Sequence, residues 1–327
     1  DDCAACLVRV DGDVGSDAND GSTWALAFAT VNAALGAAEA MLGADAGAGF
    51  ESCEVWVAEG TYVPTTGTDR TATFQLRENV ALYGGFAGDE FVRSERDVAA
   101  NVTALSGDIG TTGTATDNVY HVVTGADDAV IDGFTITGGY ASGSSPDNNG
   151  GGMLNNAVSP TVTGCTFSYN TASTFGGAMY NDTASSTVTG CAFDTNSAYS
   201  GGGIYSAQSS LIATDGVFNG NTASYGGAIH LTGGTLTMED TSFTANEASY
   251  DGGGIYYWAD TSITLTRVTF EGHEAGDLGG AIRTSGGTLS AVDSSFIQST
   301  AATSGGAIFA SGTILTFENT NFTTNEA

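Results

Sequence analysis

Seven glycine-rich words set 25 to 27 residues apart, a phenylalanine in step with each, and short alternating apolar segments between them predict an all-β fold: a parallel β-helix, or solenoid, with a short capping helix at its N-terminal end. The words begin at Gly150 (GGGM), Gly176 (GGAM), Gly201 (GGGI), Gly226 (GGAI), Gly252 (GGGI), Gly279 (GGAI) and Gly305 (GGAI). The phenylalanines are Phe167, Phe193, Phe218, Phe243, Phe270, Phe296 and Phe322, and three residues after them come Asn170, Asn196, Asn221, Asn246, His273, Ser299 and Asn325.

Within one unit, GGAIHLTGGTLTMEDTSFTANEASY, apolar residues alternate over short stretches (Ile229 and Leu231; Leu236 and Met238) that Gly-Gly, Glu-Asp and Asn-Glu interrupt. Strands of this length, rich in Thr, Ile, Val and Phe, fit three flat faces per unit. No face can bury its apolar side alone, so the units must stack. The segment from Leu265 to Ala275 also overlays a leucine-rich repeat, but the other half of the unit is Gly, Ser and Thr, which supply no helix. In a stacked coil, equivalent positions recur at the ~4.8 Å interstrand spacing. Phenylalanines then form an internal ladder, and Asn170, Asn196, Asn221, Asn246 and Asn325 bond to their own turn and to the next copy. The glycines answer to positive φ or to close approach of two coils.

Residues 24–43, WALAFATVNAALGAAEAMLG, read as the amphipathic cap, with Trp24, Leu26, Phe28, Val31 and Leu35 towards one side. The chain thus divides into residues 1–52 (tail, loop and capping helix), 53–140 (irregular first coils) and 141–327 (regular coils). About ten coils, on the order of 50 Å of axis, fit between Cys53 and the C-terminus.

Composition narrows the function classes. In 327 residues there are 48 glycines, 37 acidic side chains, seven arginines and no lysine, for a net charge of −30. Such a surface repels phosphate backbones and anionic membranes, which argues against nucleic acid and against direct membrane insertion. No run of 18 apolar residues is present, and the chain opens on DDCAACLV without a signal peptide, as a processed product would. Of the five cysteines, Cys3 and Cys6 form a lone CxxC; a disulfide from this tail to Cys53, in an oxidising extracellular setting, suits the composition better than zinc or redox chemistry.

The words F-x-x-N and GG-A-[IM] resemble the repeat of the chlamydial polymorphic outer-membrane proteins and of the wider group of bacterial right-handed parallel β-helix proteins. The first half is similar to the opening of such secreted proteins: GSDANDGSTWALAFATVNAAL (15–35), VWVAEGTYVPT (55–65), VALYGGFAGDE (80–90), NVTALSGDI (101–109) and VIDGFTITGG (130–139). The resemblance implies a right-handed coil, export and display outside the cell, and a group that includes adhesins and autotransporter passengers. His273 and Ser299 depart from the asparagine column, and the chain stops at FTTNEA before the next Gly-Gly is due, so further coils are expected beyond Ala327.

Four sets of residues could carry chemistry. One position past the Ile or Met of each glycine word lie Leu154, Tyr180, Tyr205, His230, Tyr256, Arg283 and Phe309. Alternation points them outward as a stacked aromatic strip suited to sugar rings or a protein partner, with Arg283 between two rings. Three before the phenylalanines, Asp215, Asp240, Arg267 and Asp293 form a charge column in which Arg267 relieves Asp240 and Asp293. The loop VDGDVGSDANDG offers Asp11, Asp13, Asp17, Asn19 and Asp20 as ligands for Ca²⁺, without the closing bidentate acid of an EF-hand; no other cofactor is required. A cluster of Arg267, Glu271, His273, Glu274, Asp277 and Arg283 contains one carboxylate pair, Glu271 and Glu274, for a polysaccharide lyase or hydrolase. The favoured role is an extracellular, non-catalytic module that spaces, adheres or assembles end to end into a fibre, its partners other copies, glycans or cell-surface proteins.

Overall fold

The computed structural model describes residues 6–43 and 50–327. The chain winds into about ten right-handed turns whose strands pair in parallel with the coils before and after. Three sheets run along the axis, of eighteen, ten and seven strands. The first is the widest because a coil crosses it either as two short strands, such as Met179–Asp182 and Thr187–Thr189, or as one long one, such as Ile229–Glu239.

One circuit shows why the sequence turns where it does. Ile229–Glu239 lies in the first sheet, Ser242–Thr244 in the second and Glu247–Asp251 in the third. The residues at the three corners, Asp240, Ala245 and Gly252, have φ of 49°, 49° and 67°. Each corner turns the chain onto the next sheet through one left-handed residue, a conformation that glycine, asparagine and aspartate tolerate best.

This corrects the charge column. Gly164, Gly190, Asp215, Asp240, Arg267, Asp293 and Asn319 all have φ between 49° and 61°, so backbone conformation selects the column before charge does. Arg267 stands in the column between Asp240 and Asp293, one residue past the register Glu239–Thr266–Val292, but of the two aspartates it bonds only Asp240. Its guanidinium takes Asp240 in a two-pronged bond of 2.6 and 2.8 Å and also pairs with Glu239, while Asp293 accepts a 3.0 Å bond from Asn319. At this exposed corner solvent screening leaves such pairs little weight in stability.

The glycine words divide into two jobs. The first glycine of each is left-handed, as at Gly226 with φ 62°. The second is needed for space: a Cβ on Gly227 would lie 2.3 Å from the carbonyl oxygen of Gly253 and 2.5 Å from that of Glu247.

The interior carries two ladders. Phe167, Phe193, Phe218, Phe243, Phe270 and Phe296 are fully buried and stack with centroids 4.6–5.1 Å apart and planes within 13° of parallel. Beside them Asn196 receives the backbone N–H and side-chain amide of Asn170, Asn221 receives those of Asn196, and Asn246 those of Asn221, at 2.9–3.2 Å. The amides of Asn196, Asn221 and Asn246 donate in turn to the carbonyls of Phe167, Phe193 and Phe218 in the preceding coil, and that of Asn170 to the Ile136 carbonyl. The bonds therefore join neighbouring coils, rather than closing the residue's own turn, and satisfy polar groups that water cannot reach. Asn325 does the same at the far end, accepting from the Ser299 N–H at 3.0 Å. His273 enters the ladder by chemical mimicry: its Nδ1 accepts the Asn246 N–H at 3.1 Å, the bond an asparagine oxygen makes elsewhere. Burial depresses its pKa to about 4 and keeps it neutral.

At the N-terminal end, Cys6–Val10 is already a strand of the first sheet, paired with Cys53–Ala58 in the register Cys6 to Cys53. Those two cysteines form a disulfide that closes 47 residues of sequence, a constraint on the unfolded chain of about 4 kcal/mol in the loop-entropy picture. Cys3 lies outside the described residues; Cys165 and Cys191 are free and buried. The helix covers the open end of the coil with Val31, Ala34, Leu35 and Ala38. It runs Val31–Gly43, shorter than residues 24–43, because Thr30 caps it by accepting the Ala33 N–H and Asp17 accepts the N–H groups of Ala29 and Thr30. Trp24 and Leu26 fall in a separate 3₁₀ turn, and Leu26 is exposed. The Trp24 indole donates to the Glu90 carbonyl and its ring meets Phe86 at 5.8 Å.

Candidate functional site

The aromatic strip exists in the register that repeat spacing requires. Leu154 lies beside Tyr180, Tyr180 beside Tyr205, Tyr205 beside His230, His230 beside Tyr256, Tyr256 beside Arg283 and Arg283 beside Phe309. On either side in sequence are inward columns, Met179, Ile204, Ile229 and Ile255 before it and Asn181, Ser206, Leu231 and Tyr257 after it, all fully buried.

The strip is less open than alternation alone implies. Tyr205 and His230 are only 8% and 7% exposed. A second rank of rings, from the strands just before each glycine word, folds over the corner onto the first. Phe175 stacks on Tyr205 at 4.3 Å, Tyr225 meets Tyr256 at 5.4 Å, and Tyr199 and Tyr250 flank Tyr225 at 5.8 and 5.4 Å. The sequence carries a signal for this rank: an aromatic one or two residues before the glycine word, at Phe175, Tyr199, Tyr225 and Tyr250.

Between the ranks runs a groove of about 300 Å³ walled by the rings of Phe175, Tyr199, Tyr205, Tyr225, Tyr256 and Trp258. Trp258 and Tyr199 are each 50% exposed and form its rims. His230, Ser200 and Thr232 supply the polar atoms, and none of the nine lining residues carries a carboxylate or a guanidinium. Desolvation raises the phenol pKa of Tyr205 and Tyr256, so their hydroxyls remain protonated donors at neutral pH.

His230 is the anomaly of the groove. Its ring stands edge to face between Tyr205, 5.0 Å away, and Tyr256, 4.7 Å away, and neither of its nitrogens has a hydrogen-bond partner. Burial drives its pKa down to about 3, so it is a neutral imidazole with one N–H and one free lone pair. The N–H can point at a ring face, but a lone pair gains nothing there, so an acceptor is left unsatisfied at the cost of a desolvated polar atom.

Farther along, Arg283 lies 5.9 Å from the centroid of Tyr256 and 5.2 Å from that of Phe309, with Asp251 3.9 Å away. The stack therefore closes on a cation already shared by two rings.

The other two sets are not assembled into sites. Asp11 accepts from Asp13 and Val14, Asp20 from Ser22, and Asp17 from the start of the helix, while Asn19 donates to Ala27. These oxygens organise Asx turns. Among the described residues no three acidic, His or Cys side chains are grouped so as to hold a metal ion. The cluster around Glu271 is dispersed: Glu271 is on the second sheet and Glu274 on the third, His273 is inside the core, and Arg267 is at a different corner. Two further concavities on the third face are lined by Ser, Thr and Ala with Glu247 and Glu274, and neither contains an unpartnered buried group.

Comparison with known families agrees with this architecture. The model described as the right handed beta helix region matches residues 117–270, the stretch from the last irregular coil into the regular ones. No curated protein and no solved structure gives a significant match to the chain.

Proposed function

We propose that the chain is an extracellular, non-catalytic β-helix module, of the kind displayed at a bacterial surface, that holds a docking groove on the side of a rigid shaft. The observation that carries this reading is the groove walled by six rings, on a scaffold whose regular coils are tied together by stacked phenylalanines from Phe167 to Phe322 and by shared amides from Asn170 to Asn246. A rigid aromatic surface offers contact area at small entropic cost on binding. The Cys6–Cys53 disulfide and the acidic, lysine-free exterior suit an oxidising, extracellular medium. The dispersal of Glu271, His273 and Glu274 over three environments supports a non-catalytic role.

The test is a binding screen of the whole chain against arrayed glycans and extracellular peptides, with Trp258→Ala in parallel, and a reducing-sugar assay on every glycan that binds. A saturable interaction abolished by Trp258→Ala, without sugar release, is expected. Binding indifferent to Trp258 would move docking elsewhere, and turnover would end the non-catalytic reading.

A further inference from the structure

Where the regular coils begin, the core holds a pair that neither the ladders nor the groove accounts for: two cysteines stacked in neighbouring turns. Cys165 and Cys191 are each 1% exposed and stand 26 residues apart, the offset of one coil. Their register is fixed from both sides. Thr163 pairs with Thr189 just before them and Thr166 with Ala192 just after, and the Ala192 N–H donates to the Cys165 carbonyl at 2.9 Å. Equivalent positions on adjacent parallel strands lie ~4.8 Å apart, inside the window of about 4.4–6.8 Å between Cα atoms that a disulfide spans.

The chain already contains this arrangement with the bond made. Cys6 and Cys53 are partners in register on adjacent parallel strands, both buried, with Cα atoms 4.6 Å apart across their disulfide. Cys165 and Cys191 repeat the relation farther along the shaft, where as thiols they contribute little. In the same column Thr241 and Ser294 each accept an N–H from the preceding coil, of Gly216 and of Val268, and donate to the carbonyl two residues back, at 2.8–3.4 Å. Cys191 fills that slot with the weaker hydrogen bonds of sulfur, taking the Cys165 N–H at 3.4 Å and giving to the Thr189 carbonyl at 3.4 Å. Its Sγ therefore leans onto the coil of Cys165 already. The movement that a bond requires is a turn of the Cys165 side chain away from the Thr163 carbonyl, 3.2 Å from its Sγ. The next position in the column is Gly216, which brings no side chain against the pair.

On the oxidising, extracellular reading, we infer that Cys165 and Cys191 are joined in the mature protein by a second disulfide from coil to coil. In the folded chain neither sulfur can meet an oxidant, and burial raises the Cys165 thiol well above its ordinary value. The bond therefore forms during folding, before these coils close. One cysteine thiolate attacks a small-molecule disulfide such as oxidised glutathione, which gives a mixed disulfide and releases one thiol; the other cysteine thiolate then displaces the second reagent sulfur. The chain gives up two electrons and two protons and gains one S–S bond, while the reagent's S–S bond breaks and leaves as two thiols. The product clamps neighbouring coils beside Phe167 and Phe193, the first two rungs of the phenylalanine ladder.

The whole chain is denatured, reduced and refolded in a mixture of reduced and oxidised glutathione, its remaining thiols are blocked in denaturant, and a non-reducing peptic digest is read by mass spectrometry. Peptides joining Cys165 to Cys191 and Cys6 to Cys53 are expected, which leaves one blocked thiol of the five cysteines. A chain folded in reductant and only then given the same mixture should keep Cys165 and Cys191 as thiols; bonding there as fast as during refolding would overturn the order given to oxidation and closure. Cys165→Ser/Cys191→Ser keeps the hydrogen-bonding slot and should melt about 5 °C or more below the oxidised parent, and level with it when both are folded in reductant. If Cys6–Cys53 is recovered while Cys165 and Cys191 are both blocked, the inference falls and the oxidising reading stands. If neither pair is bonded, both fall. An oxidised parent that melts with the serine variant would overturn the clamp even where the bond is found.

Discussion

The interior and the corner of this β-helix are built on the same repeat, yet they treat aromatic residues in opposite ways. Inside, six consecutive coils place a phenylalanine at one position, fully buried and stacked almost parallel. At the corner the equivalent column reads Leu154, Tyr180, Tyr205, His230, Tyr256, Arg283, Phe309, changing from a stacked pair at Tyr180 and Tyr205 to edge-to-face contacts on both sides of His230. A column that only has to fill a core settles on one residue, because each copy meets the same volume. A column that changes from coil to coil meets a different surrounding at each step, where a second rank of rings folds over it. The contrast assigns stability to the ladder and recognition to the corner.

The most severe way to break the interior is to push two coils apart. Gly227→Val sets a Cβ 2.3 Å from the Gly253 carbonyl oxygen, where only backbone movement makes room. We expect a loss of more than about 3 kcal/mol, a fall in melting temperature of on the order of 10 °C, or failure to fold at all, checked by circular dichroism. Phe243→Ala comes next. It opens a gap between Phe218 and Phe270 and should cost about 3–5 kcal/mol in a denaturant melt; a cost below 1 kcal/mol would mean that the ladder is not the core.

His273→Asn sharpens the comparison by pH. The folded pKa of His273, about 4, lies below its ordinary value of 6.5, so the unfolded chain takes up the proton first. Its contribution to stability is complete above pH 6.5, is lost as the pH falls towards 4, and changes little below that. Restoring asparagine keeps the acceptor for Asn246 and removes the titration, so the variant should lose less stability than the parent between pH 6.5 and 4. Identical pH profiles of unfolding would rule out His273 as a buried neutral member of the ladder. The smallest effect on stability is expected at the rim: Trp258→Ala, half exposed, should shift the melting temperature by no more than about 3 °C.

Which parts of this were legible in the sequence follows from what each column obeys. The phenylalanine and asparagine ladders and the register of the strip depend only on spacing, and spacing is visible in letters. The column of Asp215, Asp240, Arg267 and Asp293 was legible as a column but not as a left-handed corner, because charge is what the letters show and φ is not. Alternation correctly sent Tyr205 and His230 out of the core, but it cannot see Phe175 and Tyr225 folding back across the corner from the next face. The helix start at Val31 turned on caps from Thr30 and Asp17, which the alanine-rich pattern from Trp24 onwards obscured. The unpaired nitrogen of His230 has no sequence signature at all, since it depends on what fails to come near it.

The central claim, that the corner recognises and the interior supports, is tested most directly by measuring affinity and melting temperature together on Trp258→Ala and Phe243→Ala, using a glycan or peptide that the parent chain binds. The account predicts that Trp258→Ala loses about tenfold or more in affinity with its melting temperature nearly unchanged, and that Phe243→Ala melts many degrees lower while whatever remains folded binds as the parent does. Trp258→Ala that binds normally but melts many degrees lower would contradict it.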